Sequence, residues 1–188
     1  MMRLIALLFS VAVCLAGCGQ PAARQPSGQE EKAVKAIESL GGKVTRDEKL
    51  SGRPVVEVNL GGTKITDAGL KELKELKGLR ALNLTSTQIT DAGLKDLKEL
   101  RGLRFLALNR TQITDAGLKD LKELKGLEKL ELWKTQITDA GLIDLKELKG
   151  LKFLCLDGTK ISSAGLKDLQ QALPKTIIFC SYRDEPER

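Results

Sequence analysis

Leucines recur along the middle of this chain in two alternating rhythms. One is L-x-x-L-x-L, as at Leu79, Leu82 and Leu84; the other places leucines three apart, as at Leu94, Leu97 and Leu100. The first rhythm puts Leu82 and Leu84 on one face of a short strand, because strand side chains alternate with period two. The second makes the apolar stripe of a helix that returns along the core. Between them stands T-x-I-T-D-A-G, in which Ile89 fills a turn and Thr90 or Asp91 is placed to cap the helix. Gly102 is expected to close the unit with a left-handed backbone. Thr87 is expected to satisfy buried loop amides, which otherwise cost about 1–3 kcal/mol each. Lys95 and Glu99 stand four residues apart, as do Lys71 and Glu75, and Lys119 and Glu123. Such pairs on a helix add a few tenths of a kcal/mol.

The whole pattern repeats. TQITDAGLKDLKEL occurs from Thr87 and again from Thr111, 24 residues apart, with TKITDAGLKELKEL from Thr63, TQITDAGLIDLKEL from Thr135 and TKISSAGLKDLQQA from Thr159. Self-similarity at a period of roughly 20–29 residues predicts an α/β leucine-rich repeat solenoid. About five repeats occupy residues 63–182. The T-x-I-T-D-A-G-L pattern resembles the cysteine-containing class of leucine-rich repeats over roughly residues 55–182, with Thr in the cysteine slot. The resemblance implies a curved parallel β-sheet on a concave face and α-helices on the convex face.

Residues 29–62 do not follow the repeat. Ala33, Val34, Ile37 and Leu40 share one helical face, ended by Gly41 and Gly42, and Val56, Val58 and Leu60 alternate with Glu57 and Asn59 as a half-buried strand. A short strand is also expected around Val44. A solenoid exposes its core at each end, so this unit reads as an N-terminal cap; a separate domain of about 30 residues rarely folds alone. At the other end Ala172-Leu173-Pro174 replaces L-x-G. The last strand then either keeps register, with Ile178 and Cys180 inward and Ile177 and Phe179 outward, or slips by one residue and exchanges its faces.

Residues 1–17 (MMRLIALLFSVAVCLAG) have one Arg and then an apolar run, too short for a stable transmembrane helix, that ends in small residues. This reads as a secretory signal. Leu15-Ala16-Gly17-Cys18 resembles the lipobox of bacterial lipoproteins, which implies that Cys18 is lipidated and becomes the first residue; an ordinary signal with an incidental cysteine, or a membrane anchor, is the alternative. Two acyl chains suffice for stable anchoring. Residues 18–28 read as a flexible tether, of which the ten residues Gly19–Gly28 lack large apolar side chains and reach about 16–19 Å. Residues 183–188 are a charged tail. The expected location is a bacterial cell envelope, facing the periplasm or exterior.

The net charge of +6 is spread thinly, since Lys and Arg alternate with Glu and Asp in every repeat. Such helices present a solvated face, and no nucleic-acid partner is expected. There is no histidine, no Gly-rich phosphate loop and no metal-ligand spacing. Asp91, Asp115 and Asp139 recur at helix starts, as capping residues do. No enzyme activity, cofactor or metal is therefore expected. Cys155 and Cys180 remain in an oxidising compartment, but on the unshifted register they face opposite sides and would not pair; a slip would permit a disulfide.

Function is expected on strand positions that point away from the core. Aligned by repeat these are Glu57, Ala81, Phe105, Lys129, Phe153, Ile177; then Asn59, Asn83, Ala107, Glu131, Cys155, Phe179; then Gly61, Thr85, Asn109, Trp133, Asp157, Ser181. Four aromatic residues fall in these rows and none on the helices. The candidate binding face is Phe105, Asn109, Lys129, Glu131, Trp133, Phe153, Asp157 and Phe179. Such anchors suggest a protein or cell-surface polymer as partner. Mutual packing of the aromatics and burial in a homodimer are the other readings. A strip of six strands covers roughly 250 Å², against about 800 Å² per partner in a standard interface. Rim residues Arg80, Arg104, Arg110, Lys134 and Lys152 would have to join, or the contact is weak.

Overall fold

The computed structural model describes residues 27–181. The expected signal sequence, Cys18, most of the tether and the charged tail lie outside the described residues. The chain enters through helix α1 (Gly28–Ser39), whose N-cap Ser27 accepts a hydrogen bond from the Glu30 amide. Strands β1 (Lys43–Arg46) and β2 (Val55–Asn59) follow as an antiparallel pair. Then come α2 (Asp67–Leu70), β3 (Ala81–Asn83), α3 (Asp91–Leu97), β4 (Phe105–Ala107), α4 (Asp115–Leu121) and β5 (Lys129–Glu131). The chain continues through α5 (Leu142–Leu145), β6 (Phe153–Cys155), α6 (Ser163–Ala172) and β7 (Ile177–Phe179). From β2 to β7 every neighbour is parallel, and the strands lie in one sheet in chain order. No helix among the described residues is long and apolar enough to cross a membrane.

The two leucine rhythms account for the core. Leu82, Leu106, Leu130 and Leu154 point inward from the strands, and Leu94, Leu121 and Leu145 meet them from the helices, all at 0% exposure. A single repeat has too few apolar side chains to fold alone, so stability comes from stacking. At the N-terminal end Ala33, Val34 and Ile37 of α1 close the stack. Arg46 ties this helix to the β1–β2 hairpin through Glu30 (3.0 Å) and Glu31 (2.7 Å). Leu40, expected on the same face, is instead exposed, because it lies beyond the last helical turn as the C-cap.

The repeated polar residues form a ladder running from each repeat to the next. Asp91 accepts hydrogen bonds from the Thr114 amide (2.8 Å) and hydroxyl (2.6 Å), and Thr114 in turn accepts from the Ala116 amide. Asp67 binds Thr90, Asp115 binds Thr138 and Asp139 binds Ser162 in the same way. Thr is thus the N-cap, and Asp is a clip to the following repeat rather than a cap. The glycine of T-D-A-G leaves room for that clip: a Cβ at Gly117 would overlap the Asp91 carboxylate and come 2.9 Å from a Leu94 methyl.

Other expectations need correction. Thr87, Thr111 and Thr135 do not accept from loop amides; each hydroxyl donates to the carbonyl three residues back (Leu84, Leu108, Leu132) at 2.6–2.7 Å. The pairs Lys71–Glu75, Lys95–Glu99 and Lys119–Glu123 are absent from the ion pairs among the described residues. Helices α3 and α4 stop at Leu97 and Leu121, before the glutamates, and Lys71–Glu75 is a 3₁₀ turn with a different side-chain spacing. Gly102 is not left-handed. The last strand keeps register: Leu154 pairs with Ile178 and Cys155 with Phe179, leaving Ile177 and Phe179 exposed.

Candidate interaction face

The strand positions turned away from the helices line up as three rows across the sheet, because register advances by one full repeat per strand. In the first row Lys129 stands between Phe105 and Phe153. Its ammonium lies 4.9 Å from one ring centroid and 5.2 Å from the other. The two rings are separated by a whole strand, so a shared cation joins them in place of ring-on-ring packing. All three side chains are half-buried.

The second and third rows continue this network. Lys129 pairs with Glu131 at 2.7 Å, and the other Glu131 oxygen accepts from Asn109 Nδ2 at 2.7 Å. Asn109 Oδ1 then accepts from the Trp133 amide at 2.9 Å. Asp157 accepts from the Ser181 amide at 3.0 Å, and Ser181 holds its carboxyl below the usual range, with the Trp133 indole adding a smaller effect. Phe105, Asn109, Lys129, Glu131, Trp133, Phe153 and Asp157 thus occupy one continuous patch over β4–β6 and the turns that follow. Phe179, on the edge strand β7, is 54% exposed. Ala107, also expected on this face, is buried at 2%: its short side chain lies below its longer register partners Asn83 and Glu131.

Cys155 and Cys180 are both free thiols. Cys155 shares the outward row with Phe179, whereas Cys180 packs against the core. Burial is the main cause raising both thiols above the ordinary value, so they are protonated at neutral pH.

One column was not singled out from the sequence. Just after each strand the backbone turns through a left-handed residue, at Gly62, Ser86, Arg110, Lys134 and Gly158 in successive repeats. A second, backbone ladder runs through this turn: the amides of Gly62, Ser86, Arg110 and Lys134 donate to the Thr85, Asn109, Trp133 and Asp157 carbonyls of the next repeat at 2.8–2.9 Å. Glycine takes the conformation freely, but a side chain costs about 1–2 kcal/mol. Arg110 and Lys134 are therefore strained, and both lie over the same ring: the Arg110 guanidinium is 4.4 Å and the Lys134 ammonium 4.8 Å from the Trp133 centroid. The signal was present in the alignment as two long cations in a column that holds glycine at Gly62 and Gly158.

The rim cations differ in their partners. Arg104 and Lys152 both pair with Glu128, and together they lower its carboxyl, Lys152 most. Among the described residues Arg110 and Lys134 form no ion pair. Among the described residues no group of three or more His, Cys, Asp or Glu side chains converges in a way that could hold a metal.

The Leucine Rich repeat family model matches residues 53–74 and 79–98. It describes a repeat unit, a type of scaffold that typically binds proteins and is not catalytic. No curated protein matches the chain. Among solved structures, a leucine-rich repeat protein of Leptospira interrogans is similar at 25% identity and a TM-score of 0.48. That alignment covers 65% of this chain, which spans only 36% of the Leptospira protein's length. The leucine-rich repeat ectodomain of the receptor kinase SOBIR1 from Arabidopsis thaliana aligns over 83% of this chain and 92% of its own, with a TM-score of 0.53 and 16% identity. The repeated sequence, the register of the parallel sheet, the family-model matches and the alignment with the SOBIR1 ectodomain agree that the chain folds as a leucine-rich repeat solenoid.

Proposed function

We propose that the protein is a lipid-anchored module of a bacterial cell envelope whose concave face binds another protein or a cell-surface polymer. The observation that supports it best is the patch built by Phe105, Lys129, Phe153 and Trp133, in which half-buried rings and cations sit on the solvent side of a rigid sheet. Anchoring rests on the lipobox-like Leu15-Ala16-Gly17-Cys18. Held at a membrane by Cys18 and a short tether, even a weak contact gains from high effective concentration. Intact mass of membrane-extracted protein should show a modified Cys18 as the first residue; an unmodified thiol rules the anchor out. For the face, a photo-crosslinker at position 153 should give adducts that one at Ile143, exposed at 69% on helix α5, does not. Equal adducts from both sites would remove the concave face as the binding surface.

A second reading is self-association, favoured by the edge strand β7, where Ile177 and Phe179 are 68% and 54% exposed and unprotected strand edges invite pairing. A monomer by light scattering at micromolar concentration rules it out.

A further inference from the structure

We propose that Arg110 and Lys134, propped on Trp133, form the part of the concave face that receives a carboxylate from an acidic protein segment. This rests on the concave face being the binding surface and assigns chemistry to one corner of it. Both cations are within 5 Å of one ring centroid, so their separation is bounded by the sum of 4.4 and 4.8 Å. Carboxylates on neighbouring residues of a peptide can engage one cation each across such a span. Stacking on the indole and a backbone fixed by the ladder restrict both side chains before anything binds, which lowers the entropy lost on binding.

Two features argue that the pair serves a ligand and not the fold. Glycine makes the same turn at Gly62 and Gly158 without strain, and the remaining position, Ser86, bears a short uncharged side chain, so the turn itself does not call for a long cation. Of the other rim cations, Arg104 and Lys152 share the single carboxylate of Glu128, while Arg80, like Arg110 and Lys134, has no ion-pair partner among the described residues; of these, Arg110 and Lys134 are the two that lie over one ring. Strained residues with unmet charge concentrate at sites that act on a ligand.

The surroundings select a protein over a uniform polyanion. Asp157, in the turn that follows β6, is held ionised, and Glu131, at the end of β5, is already committed to Lys129 and Asn109. A nucleic acid, polyphosphate or anionic membrane seated on Arg110 and Lys134 would bring its next charges against those carboxylates. An extended peptide can place one carboxylate at the cations and uncharged or apolar residues beside them, next to Phe105 and Phe153.

Trp133 is the only tryptophan in the chain, so its fluorescence reports on this corner alone. The probes are a capped octapeptide alternating glutamate with serine and leucine, the same peptide with glutamine, inorganic polyphosphate, and phosphatidylglycerol vesicles. The glutamate peptide should shift Trp133 emission saturably, and the glutamine peptide should bind about tenfold more weakly or worse, the scale of a charge-assisted bond. Arg110→Gly with Lys134→Gly should lose the response with little change in melting temperature, because relief of strain offsets the lost stacking. Equal binding of the two peptides, no saturable response up to millimolar peptide, or an undiminished response in the double glycine variant would each overturn the assignment. A stronger response to polyphosphate or vesicles would overturn the choice of a protein segment. Crosslinking from position 153 reads the concave face independently, so adducts there with no response at Trp133 would sink this inference alone.

Discussion

Each repeat has two turns, one leaving the strand for the convex side and one opening the helix, and the chain treats them oppositely. At the helix start four successive repeats carry the same chemistry, an aspartate that accepts two hydrogen bonds from the next Thr or Ser. At the strand end the backbone conformation is as constant, but the residue changes from Gly62 to Ser86, Arg110, Lys134 and Gly158. Where residue and contact repeat together, the contact between repeats accounts for the residue. Where the conformation repeats and the residue departs from the least strained choice, the fold gives no reason for it. That contrast separates the scaffold from the candidate site.

The scaffold side should break hardest. Gly117→Ala places a methyl against the Asp91 carboxylate and Leu94, adding overpacking to the loss of the clip. It should cost about 3 kcal/mol and split the urea transition, because each repeat is held only by its neighbours. Gly28→Ala, with open space around the added methyl, should be close to neutral. Equal effects would mean that close approach is not why glycine stands in T-D-A-G. Asp115→Ala should cost about 2 kcal/mol by orphaning the Thr138 amide and hydroxyl. Asp144→Ala, outside the ladder, should stay within about 0.5 kcal/mol.

The ladder also marks where sequence reading stopped. The period, the leucine stripes, the cap helix and the outward rows were legible because they depend on residues near one another in the chain. Asp91 looked like a helix cap because its nearest amides in sequence are those of its own helix. Its actual partner, Thr114, is 23 residues away and becomes adjacent only when the repeats stack. The surface pairs such as Lys95 and Glu99 failed for the converse reason: they assumed a longer helix than the turn back into β4 allows. On the concave face the aromatic rows could be read, but not that Lys129 would separate Phe105 from Phe153, nor that Arg110 and Lys134 would converge on Trp133. Those depend on side-chain direction across neighbouring strands, which alignment does not supply.

The rim should respond with a much smaller change in stability. In Arg110→Gly, relief of about 1–2 kcal/mol of left-handed strain opposes the loss of about 0.5–1 kcal/mol of stacking. A more flexible unfolded chain adds a penalty of about 0.4–1 kcal/mol. The net is near zero. Arg110→Ala keeps the strain and loses the stacking, so it should melt below Arg110→Gly. If the glycine variant is instead the less stable, the cation contributes to the fold and the contrast between the two turns fails.

The smallest effect is expected from acid, at the edge of the same patch. Asp157 has its carboxyl pKa lowered, chiefly by Ser181 and less by the Trp133 indole. A lowered pKa means that the ionised form is favoured in the folded state. Its contribution is therefore complete above the unfolded value of about 3.9 and disappears as pH falls through the lower folded value. Trp133 emission should accordingly be flat from neutral pH down to about 4 and then change with a midpoint below the ordinary carboxylate range. Asp157→Asn should remove that step while leaving the fold intact. A step at or above the ordinary value, or one that survives in Asp157→Asn, would mean that Trp133 does not sense the ionisation of Asp157, and that Arg110 and Lys134 dominate the surroundings of the ring.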